Sequence, residues 1–362
     1  MTRIRAFVTD GKGSGSVQLI PRPRPGEAEI LVKIHYAALN PGDWKLVEGD
    51  VLDGPALPGL IAGCDFAGTV EDPKGSHWKK GQRVGGWVHG ANFEGVGSFA
   101  EYMNIETSLV FAVPDNISLQ QASTVSLAFA TATQAMYQHL SLPGPYQNKE
   151  DRVDFLVYGA STSVGLYAVQ LGKLSGLRVI AVASSKNHDL LKRLGAEVTV
   201  DYHGEDWVER VKEVTRGKLR YALDNIADGG SSEKVARCLA HSAGSQLIAL
   251  SPLDKGSLHA INPYVKVESM LAFTVFGRAL GEEYTVFENT GPETPGEKSA
   301  WEKYLRLVTG MLERGDIEAN PVVEVGTLED VTEAFRLSRE GQLSAEKAVL
   351  RVNAELGRDR EK

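Results

Sequence analysis

The chain shows two patterns of apolar and polar residues, which change over near Val153. As far as Gln120, short apolar runs are interrupted by Gly, Pro and Asp, as in Glu29–Leu39, Cys64–Glu71 and Gln82–Val88. Apolar runs of this length between turn-forming residues are typical of β-strands. We therefore predict a β-rich, barrel-like module in the first part of the chain.

Strand-like and helix-like segments alternate from Val153 to Leu250. Val153–Gly159 is a short apolar run, and Ser163–Gly176 after it has its apolar residues at the spacing of one helix face. The alternation continues with predicted strands at Arg178–Ser184, Val198–Tyr202, Tyr221–Ile226 and Ser245–Leu250 and predicted helices at Lys186–Gly195, Trp207–Thr215 and Glu233–Ala240. This regular alternation predicts βαβ units on a parallel sheet, and hence a doubly wound α/β nucleotide domain.

The C-terminal part begins with a long segment without a clear period, Ser251–Glu297. A loop of that length is usually functional or disordered. An amphipathic helix follows, and its apolar face carries Trp301, Tyr304, Leu305, Val308, Met311 and Leu312. The tail alternates again, and we predict that it returns to the β-rich module. Residues 1–125 and 318–362 would then form one domain, and residues 126–317 the nucleotide domain.

Composition limits the classes of protein and partner. The chain has 362 residues, and domains typically contain about 100–200, so two domains are expected. The net charge of −8 argues against nucleic acid or anionic membrane as the main partner. The N terminus lacks a signal-like apolar segment, and no apolar run reaches the roughly 18 residues of a spanning helix. Cys64 and Cys238 are the only cysteines, so we expect no disulfide framework and a cytoplasmic protein.

The turn Tyr158–Gly165, between a predicted strand and a predicted helix, occupies the position of a dinucleotide-binding loop. A helix N terminus there offers N–H groups and a favourable dipole to phosphate. Gly159 and Gly165 correspond to two glycines of the G-x-G-x-x-G pattern. The residues between them include three hydroxyl side chains, Ser161, Thr162 and Ser163. A tight structural turn is the alternative, but the order of strand, loop and helix favours a nucleotide.

The end of the second predicted strand bears on the choice between NAD(H) and NADP(H). Proteins that bind NAD(H) carry Asp or Glu there, where it meets the ribose 2′-hydroxyl. Here the strand end is followed by Ser184, Ser185 and Lys186, without an acidic residue. A lysine and two hydroxyls would attract a 2′-phosphate, and Tyr202 after the third strand would add its hydroxyl or ring edge. The alternative is a solvated lysine at a helix start; with the acid missing, we predict NADP(H).

Four segments together resemble the medium-chain dehydrogenase/reductase superfamily, and the resemblance covers essentially the whole chain. They are Leu39–Lys45 (LNPGDWK), Gly63–Val70 (GCDFAGTV), Arg220–Ile226 (RYALDNI) and Leu343–Val352 (LSAEKAVLRV). As a set they are similar to the zinc-free quinone and enoyl reductase branch, and within it to the fungal trans-acting enoyl reductases that serve polyketide synthases. The resemblance implies an α/β protein, with a Rossmann-type NADP-binding domain and a β-rich GroES-like catalytic domain.

The dipeptide Cys64-Asp65 raises the question of a metal. Zinc-dependent relatives have His-Glu at this position and a cysteine at the position of Asn40. Catalytic zinc needs three protein ligands and structural zinc needs four. Cys64 and Asp65 do not complete such a set, and we interpret Cys64 as a small buried apolar residue. We predict that the protein holds no metal.

Without a metal, hydride transfer to an activated C=C is easier than alcohol oxidation, because a conjugated carbonyl takes up the developing charge. The resemblance implies that Asn40, Lys45 and Thr131 face cofactor or substrate and act as the catalytic residues. The alternatives are a turn at Asn40, a solvated Lys45 and a packing role for Thr131. Lys45 would meet a phosphopantetheine arm or an enolate, or donate the proton at Cα.

We therefore predict NADPH-dependent reduction of an α,β-unsaturated thioester, with a carrier-bound polyketide as substrate and a polyketide synthase as partner in trans. A stand-alone quinone or enone oxidoreductase is the first alternative, and a catalytically silent NADPH-binding partner protein is the second. The predicted cofactor contacts are Ser161, Thr162, Ser163, Val164, Ser184, Ser185, Lys186, Tyr202, Asn225, Leu250, Phe276, Gly277, Ser344 and Lys347.

Overall fold

The computed structural model describes residues 2–50, 54–147, 152–291 and 293–353, apart from the side chain of Glu283. The ends of the predicted first domain, residue 1 and residues 354–362, lie outside the described residues. The chain divides into two compact units. Met1–Leu127 and Leu305–Lys362 form the β-rich unit, and Ala128–Tyr304 form the α/β unit.

The elements are numbered in chain order. The strands are β1 (Arg3–Thr9), β2 (Gly15–Pro21), β3 (Glu29–Ala38), β4 (Asp65–Asp72), β5 (Arg83–Trp87), β6 (Tyr102–Glu106), β7 (Val110–Ala112), β8 (Asp154–Tyr158), β9 (Arg178–Val182), β10 (Val198–Val200), β11 (Tyr221–Asp224), β12 (Ser245–Ala249), β13 (Val265–Ser269), β14 (Val322–Gly326) and β15 (Lys347–Arg351). The α-helices are α1 (Pro41–Glu48), α2 (Leu119–Ala122), α3 (Ser126–Thr133), α4 (Ser163–Leu174), α5 (His188–Leu194), α6 (Trp207–Thr215), α7 (Ser231–Cys238), α8 (Lys255–Ile261), α9 (Pro295–Arg314) and α10 (Val331–Arg339).

The main sheet of the β-rich unit brings both ends of the chain together. Its strand order is β14-β15-β3-β4-β5-β7, with β6 paired to β3, and β1 and β2 form a separate hairpin. β3 runs antiparallel to both β4 and β15, and Ala38 near its end pairs with Asp65 and with Val349. If this register continues for two residues, Asn40 comes opposite Lys347. Three strand ends therefore meet at one point of the sheet.

The α/β unit has a parallel sheet of order β10-β9-β8-β11-β12-β13. Numbered within the unit, this is the order 3-2-1-4-5-6 of a doubly wound dinucleotide-binding sheet. The order reverses between β8 and β11, and ligands of such sheets bind beyond the carboxyl ends of the strands at that point. The predicted fold class, a doubly wound domain with a β-rich domain, is confirmed.

The segment Ser251–Glu297 is more regular than predicted. It contains helix α8 and strand β13, which pairs in parallel with β12 and forms the edge of the sheet. The Asp254 carboxylate caps α8 by accepting the N–H of Gly256 at 2.9 Å. The helix has only seven residues and the strand five, so neither is long enough to show a clear period. The prediction of one irregular segment was wrong for this part. Among the described residues, no helix combines the length and apolar character required to cross a membrane.

Candidate active site

Asp65 is the centre of a buried polar cluster in the β-rich unit. Its Oδ2 accepts a hydrogen bond from Lys347 Nζ at 2.6 Å and another from Asn40 Nδ2 at 3.0 Å. Its Oδ1 accepts the backbone N–H of Leu127 at 2.8 Å. The Lys347 ammonium also donates to Asn40 Oδ1 at 2.9 Å. Asp65, Lys347 and Asn40 are 0%, 2% and 4% exposed, so the charge pair is stabilised by these bonds rather than by water.

The bonds of this cluster determine which way the Asn40 carboxamide points. An ammonium only donates hydrogen bonds and a carboxylate only accepts them. Oδ1 of Asn40 must therefore face Lys347, and Nδ2 must face Asp65. Sequence reasoning predicted Asn40 as a catalytic residue and Lys347 as a cofactor contact, but it did not identify their bond to each other or to Asp65. They are 307 residues apart in the chain, so no local pattern indicates the contact.

Two further titratable groups border the cluster. Asp43, which is 1% exposed, accepts the backbone N–H of Asn40 at 2.7 Å and so helps to fix the start of α1. Burial raises the pKa of Asp43 to about 7. Burial also raises the pKa of the Cys64 thiol well above its ordinary value. Desolvation favours the neutral, protonated form of both groups.

A catalytic zinc does not fit this donor set. Asn40 and Asp65 are bonded to the ammonium of Lys347, whose positive charge repels a cation. Within the part of the chain that the structure describes, no group of three or more His, Cys, Asp or Glu side chains is arranged to hold a metal ion.

Lys45 and Thr131 are the other residues predicted for catalysis, and Ser344 is a predicted cofactor contact. Lys45 is half-buried in the last turn of α1, and its Nζ lies 5.5 Å from the centroid of the Trp44 ring. Thr131 is 5% exposed within α3. Ser344 is half-buried and precedes β15. The roles of these three residues stay predictions.

The turn between β8 and α4 has the geometry of a phosphate-binding loop. Thr162 is the N-cap of α4, and its Oγ1 accepts the N–H of Gly165 at 3.1 Å. Gly159 has a φ of +67°, which favours glycine. A Cβ on Gly165 would lie 2.4 Å from the Gly159 carbonyl oxygen, so the close approach of the helix to the turn requires glycine at this position. The residues predicted to bind phosphate, Ser161, Thr162, Ser163 and Val164, are all half-buried at this helix start.

The turn after β9 carries the residues predicted to select the cofactor. Ser184 is half-buried, and Ser185 and Lys186 are exposed. Asp201, which sequence reasoning missed, accepts the N–H of Ser185 at 3.1 Å. The backbone N–H of His203 holds the pKa of the Asp201 carboxyl well below its usual range. This carboxylate comes from the third strand of the unit, where the sequence rule does not look for an acid.

Tyr202 and Asn225 occupy different positions in the α/β unit. Tyr202 follows β10, is 41% exposed and stacks on the His203 ring at a centroid distance of 4.2 Å. Asn225 follows β11, and its Nδ2 donates to the carbonyl of Tyr158 at 2.9 Å, which ties the ends of β8 and β11 together. Its Oδ1 is buried and finds no hydrogen-bond partner among the described residues. A buried acceptor left unsatisfied beyond the strand ends fits a ligand that donates, such as a ribose hydroxyl.

The last predicted cofactor contacts of the α/β unit lie beyond the strands nearer its edge. Leu250 is half-buried directly after β12. Phe276 is 9% exposed at the end of a short 3₁₀ helix, Ala272–Phe276, and Gly277 ends that helix with a φ of +68°. Gln134 Nε2 holds the same helix by donating to Thr274 Oγ1 at 2.7 Å. The contacts of these three residues with cofactor stay predictions.

Two family profiles match the chain. Residues 26–115 match the alcohol dehydrogenase GroES-like domain. Residues 163–288 match the family described as zinc-binding dehydrogenase. The first match falls within the β-rich unit and the second within the α/β unit.

Several curated proteins and solved structures are similar over almost their whole length. A trans-enoyl reductase of Alternaria alternata is 33% identical over 356 residues, covering 96% of this chain and 99% of the relative. A trans-enoyl reductase of Aspergillus niger is 35% identical over 369 residues, covering 96% of both chains. The quinone oxidoreductase of Coxiella burnetii superposes with a TM-score of 0.71 at 21% identity, over 97% of this chain and 100% of its own. The CurK enoyl reductase superposes with a TM-score of 0.74 at 18% identity, over 97% of this chain and 99% of its own. The two structural likenesses show the fold alone.

Proposed function

Because the chain belongs to the medium-chain dehydrogenase/reductase superfamily, in the family that contains the fungal trans-enoyl reductases, we propose that it is an NADPH-dependent enoyl reductase. Its substrate would be an α,β-unsaturated thioester, presented on a carrier by a polyketide synthase acting in trans. The observation that supports reduction of a C=C without metal is the Lys347–Asp65–Asn40 cluster, where an ammonium is bonded to Asn40, at the position of a cysteine in zinc-dependent relatives, and to Asp65, next to Cys64. We further propose a cytoplasmic location.

The α/β unit offers a fitting site for the cofactor, which supplies a hydride when bound. The N–H groups at the start of α4 would bind the pyrophosphate, with Ser161, Thr162 and Ser163 adding hydroxyl donors. The unsatisfied Oδ1 of Asn225 would accept a ribose hydroxyl. Lys186 with the serines before it would hold the 2′-phosphate.

The β-rich unit would act on the carbonyl end of the substrate. Addition of hydride at the β-carbon moves negative charge onto the carbonyl oxygen, and hydrogen-bond donors fixed in advance stabilise that charge. Asn40 supplies a carboxamide of fixed orientation. Lys45 would meet the pantetheine arm or deliver the proton to Cα. Thr131, which belongs to the α/β unit, would contact cofactor or substrate.

The proposed substrate class is tested by measuring the NADPH-dependent reduction of two enoyl-pantetheines and one quinone. We expect kcat/KM to be higher for crotonyl-pantetheine and for a longer enoyl-pantetheine than for a simple quinone. The pantetheine arm contributes binding energy that orients the alkene, so truncating it should lower kcat as well as raise KM. A tenfold preference for the quinone, about 1.4 kcal/mol at the transition state, would instead support the stand-alone oxidoreductase. Stoichiometric NADPH binding without oxidation of NADPH by any of the three would support the silent binding protein.

Cofactor choice is tested at Lys186. We expect the protein to bind NADPH more tightly than NADH. Lys186→Ala should lower the affinity for NADPH by about 10- to 100-fold, because a hydrogen bond to a charged group contributes about 1.5–3 kcal/mol. NADH, which lacks the 2′-phosphate, should bind the variant as it binds the parent. Dissociation constants from quenching of protein fluorescence measure both.

Lys192→Ala is the matched control for cofactor choice. This lysine is exposed on α5, shortly after Lys186 in the chain, and removing it changes the net charge equally. It should leave both dissociation constants unchanged. Equal affinity of the parent protein for NADPH and NADH would refute the assignment of NADP(H).

A further inference from the structure

The bonds around Asn40 leave one donor of its carboxamide without an assigned acceptor. The side chain has two N–H groups on Nδ2, and one of them points to Asp65 Oδ2 at 3.0 Å. No acceptor for the second is found among the residues that the structure describes. The carboxamide is planar, so fixing Oδ1 and one N–H also fixes the direction of the other N–H.

The ammonium of Lys347 changes the chemistry of that donor. An amide whose oxygen accepts a bond from a cation becomes a stronger donor at its nitrogen, because bonds in a chain polarise one another. The burial of all three residues strengthens this coupling, since the local dielectric constant is low. Without Lys347, Oδ1 of Asn40 would be a buried acceptor without its partner, and the hydrogen bond that fixes the orientation of the carboxamide would be lost.

We infer that Lys347 is a positioning residue of the reduction: its ammonium orients and polarises the Asn40 carboxamide, whose second N–H then donates to the substrate oxygen as that oxygen becomes an enolate. This inference rests on the proposed function. NADPH, when bound, would supply the hydride for the new C–H bond at the β-carbon, and the electron pair of the C=C would move into the enolate that Asn40 stabilises. A solvent proton, delivered directly or by Lys45, would then form the C–H bond at Cα, so that the reaction consumes NADPH and one proton. Asn40 and Lys347 lose no proton in the reaction.

The first test compares two substrates in the variant Lys347→Met. Crotonyl-pantetheine must place the charge on its thioester oxygen, whereas a nitroalkene such as 1-nitrocyclohexene already carries a strong electron acceptor and needs the donor less. We expect kcat for the thioester to fall about 100-fold, as for the loss of one oxyanion donor, with KM and the dissociation constant of NADPH within about twofold of the parent. The nitroalkene rate should fall less than tenfold.

A double variant separates positioning from stability. Lys347→Met together with Asp65→Asn removes both charges and avoids a buried carboxylate without its counter-ion. We expect its melting temperature to approach that of the parent while its thioester kcat stays low. Arg22→Met is the matched control: it removes a half-buried cation that bonds Glu71 at 3.0 Å in the same unit, and it should leave both rates unchanged.

The possible outcomes are distinct. Equal losses for thioester and nitroalkene, or recovery of thioester turnover together with stability in the double variant, would overturn the positioning role and leave the enoyl reductase proposal intact. A parent protein that reduces neither substrate with NADPH would overturn both. Selective loss for the thioester in the single and double variants supports the inference.

Discussion

Gly165→Ala is expected to weaken NADPH binding by about 10- to 100-fold and to lower the melting temperature. The added Cβ would lie 2.4 Å from the carbonyl oxygen of Gly159 and 2.6 Å from that of Ala160. Both obstacles are backbone atoms of the turn that would bind the pyrophosphate, so the turn itself must move. Overpacking of this kind typically costs about 1–3 kcal/mol, and the displaced N–H groups would no longer converge on the phosphate. Calorimetric titration with NADPH measures the change in affinity.

Gly310→Ala provides the same chemical change at a tolerant position. Gly310 lies within α9, and the nearest atom to an added Cβ is the flexible end of Arg314, at 3.0 Å. Alanine is favoured over glycine by about 0.5–1 kcal/mol inside a helix, so stability should be unchanged or slightly higher. NADPH affinity should equal that of the parent. A Gly165→Ala protein with parental affinity would show that this turn does not hold the phosphate.

Asp65→Ala is expected to be the most destabilising single substitution in the buried cluster. It leaves the Lys347 ammonium, the N–H of Leu127 and one N–H of Asn40 without their acceptor. Removing one partner of a buried ion pair costs about 3–5 kcal/mol, because the remaining charge is buried without compensation. Lys347→Met should be destabilising for the corresponding reason. Urea unfolding, followed by circular dichroism, measures the free energy of unfolding of each variant.

A double-mutant cycle gives the coupling between the two charges. The double variant Lys347→Met with Asp65→Asn should recover most of the loss caused by Lys347→Met alone. The comparison cycle uses the surface pair Arg339 and Glu48, whose closest atoms are 2.6 Å apart but whose side chains are 46% and 26% exposed. Exposed pairs contribute about 0–1 kcal/mol, so that coupling should be small. If the coupling free energy of the buried pair is no larger than that of the surface pair, the contributions of Asp65 and Lys347 to stability do not depend on each other.

Most of the α/β unit was predictable because its signals are local. Each strand and helix has its own apolar period, and helix α6, Trp207–Thr215, lies where a helix was predicted. The turn at Gly159–Gly165 was also predictable, since its glycines are needed by the chain immediately around them. Helix α8 and strand β13 were missed because each is short and is stabilised by packing on its neighbours rather than by a period of its own.

The residues near the predicted cofactor site show more clearly what local sequence patterns do not reveal. Lys186 was found from its place after the second strand, whereas Asp201 was missed. The side chain of Asp201 reaches the Ser185 N–H only because β9 and β10 are neighbours in the sheet. An acid that arrives from an adjacent strand has no fixed spacing in the chain, so a rule based on spacing does not detect it.

The sequence by itself determined what depends on near neighbours in the chain, namely the alternation of strands and helices and the glycine turn. Only the tertiary structure decided which group neutralises Asp65. Lys347 follows it by 282 residues, and the two meet because β4 and β15 both pair with β3. Periodicity shows that each segment is a strand but not which strand it joins, since backbone hydrogen bonds are the same for every partner. Strand pairing is selected by the packing of the whole unit, and with it the cation that lies between Asn40 and Asp65.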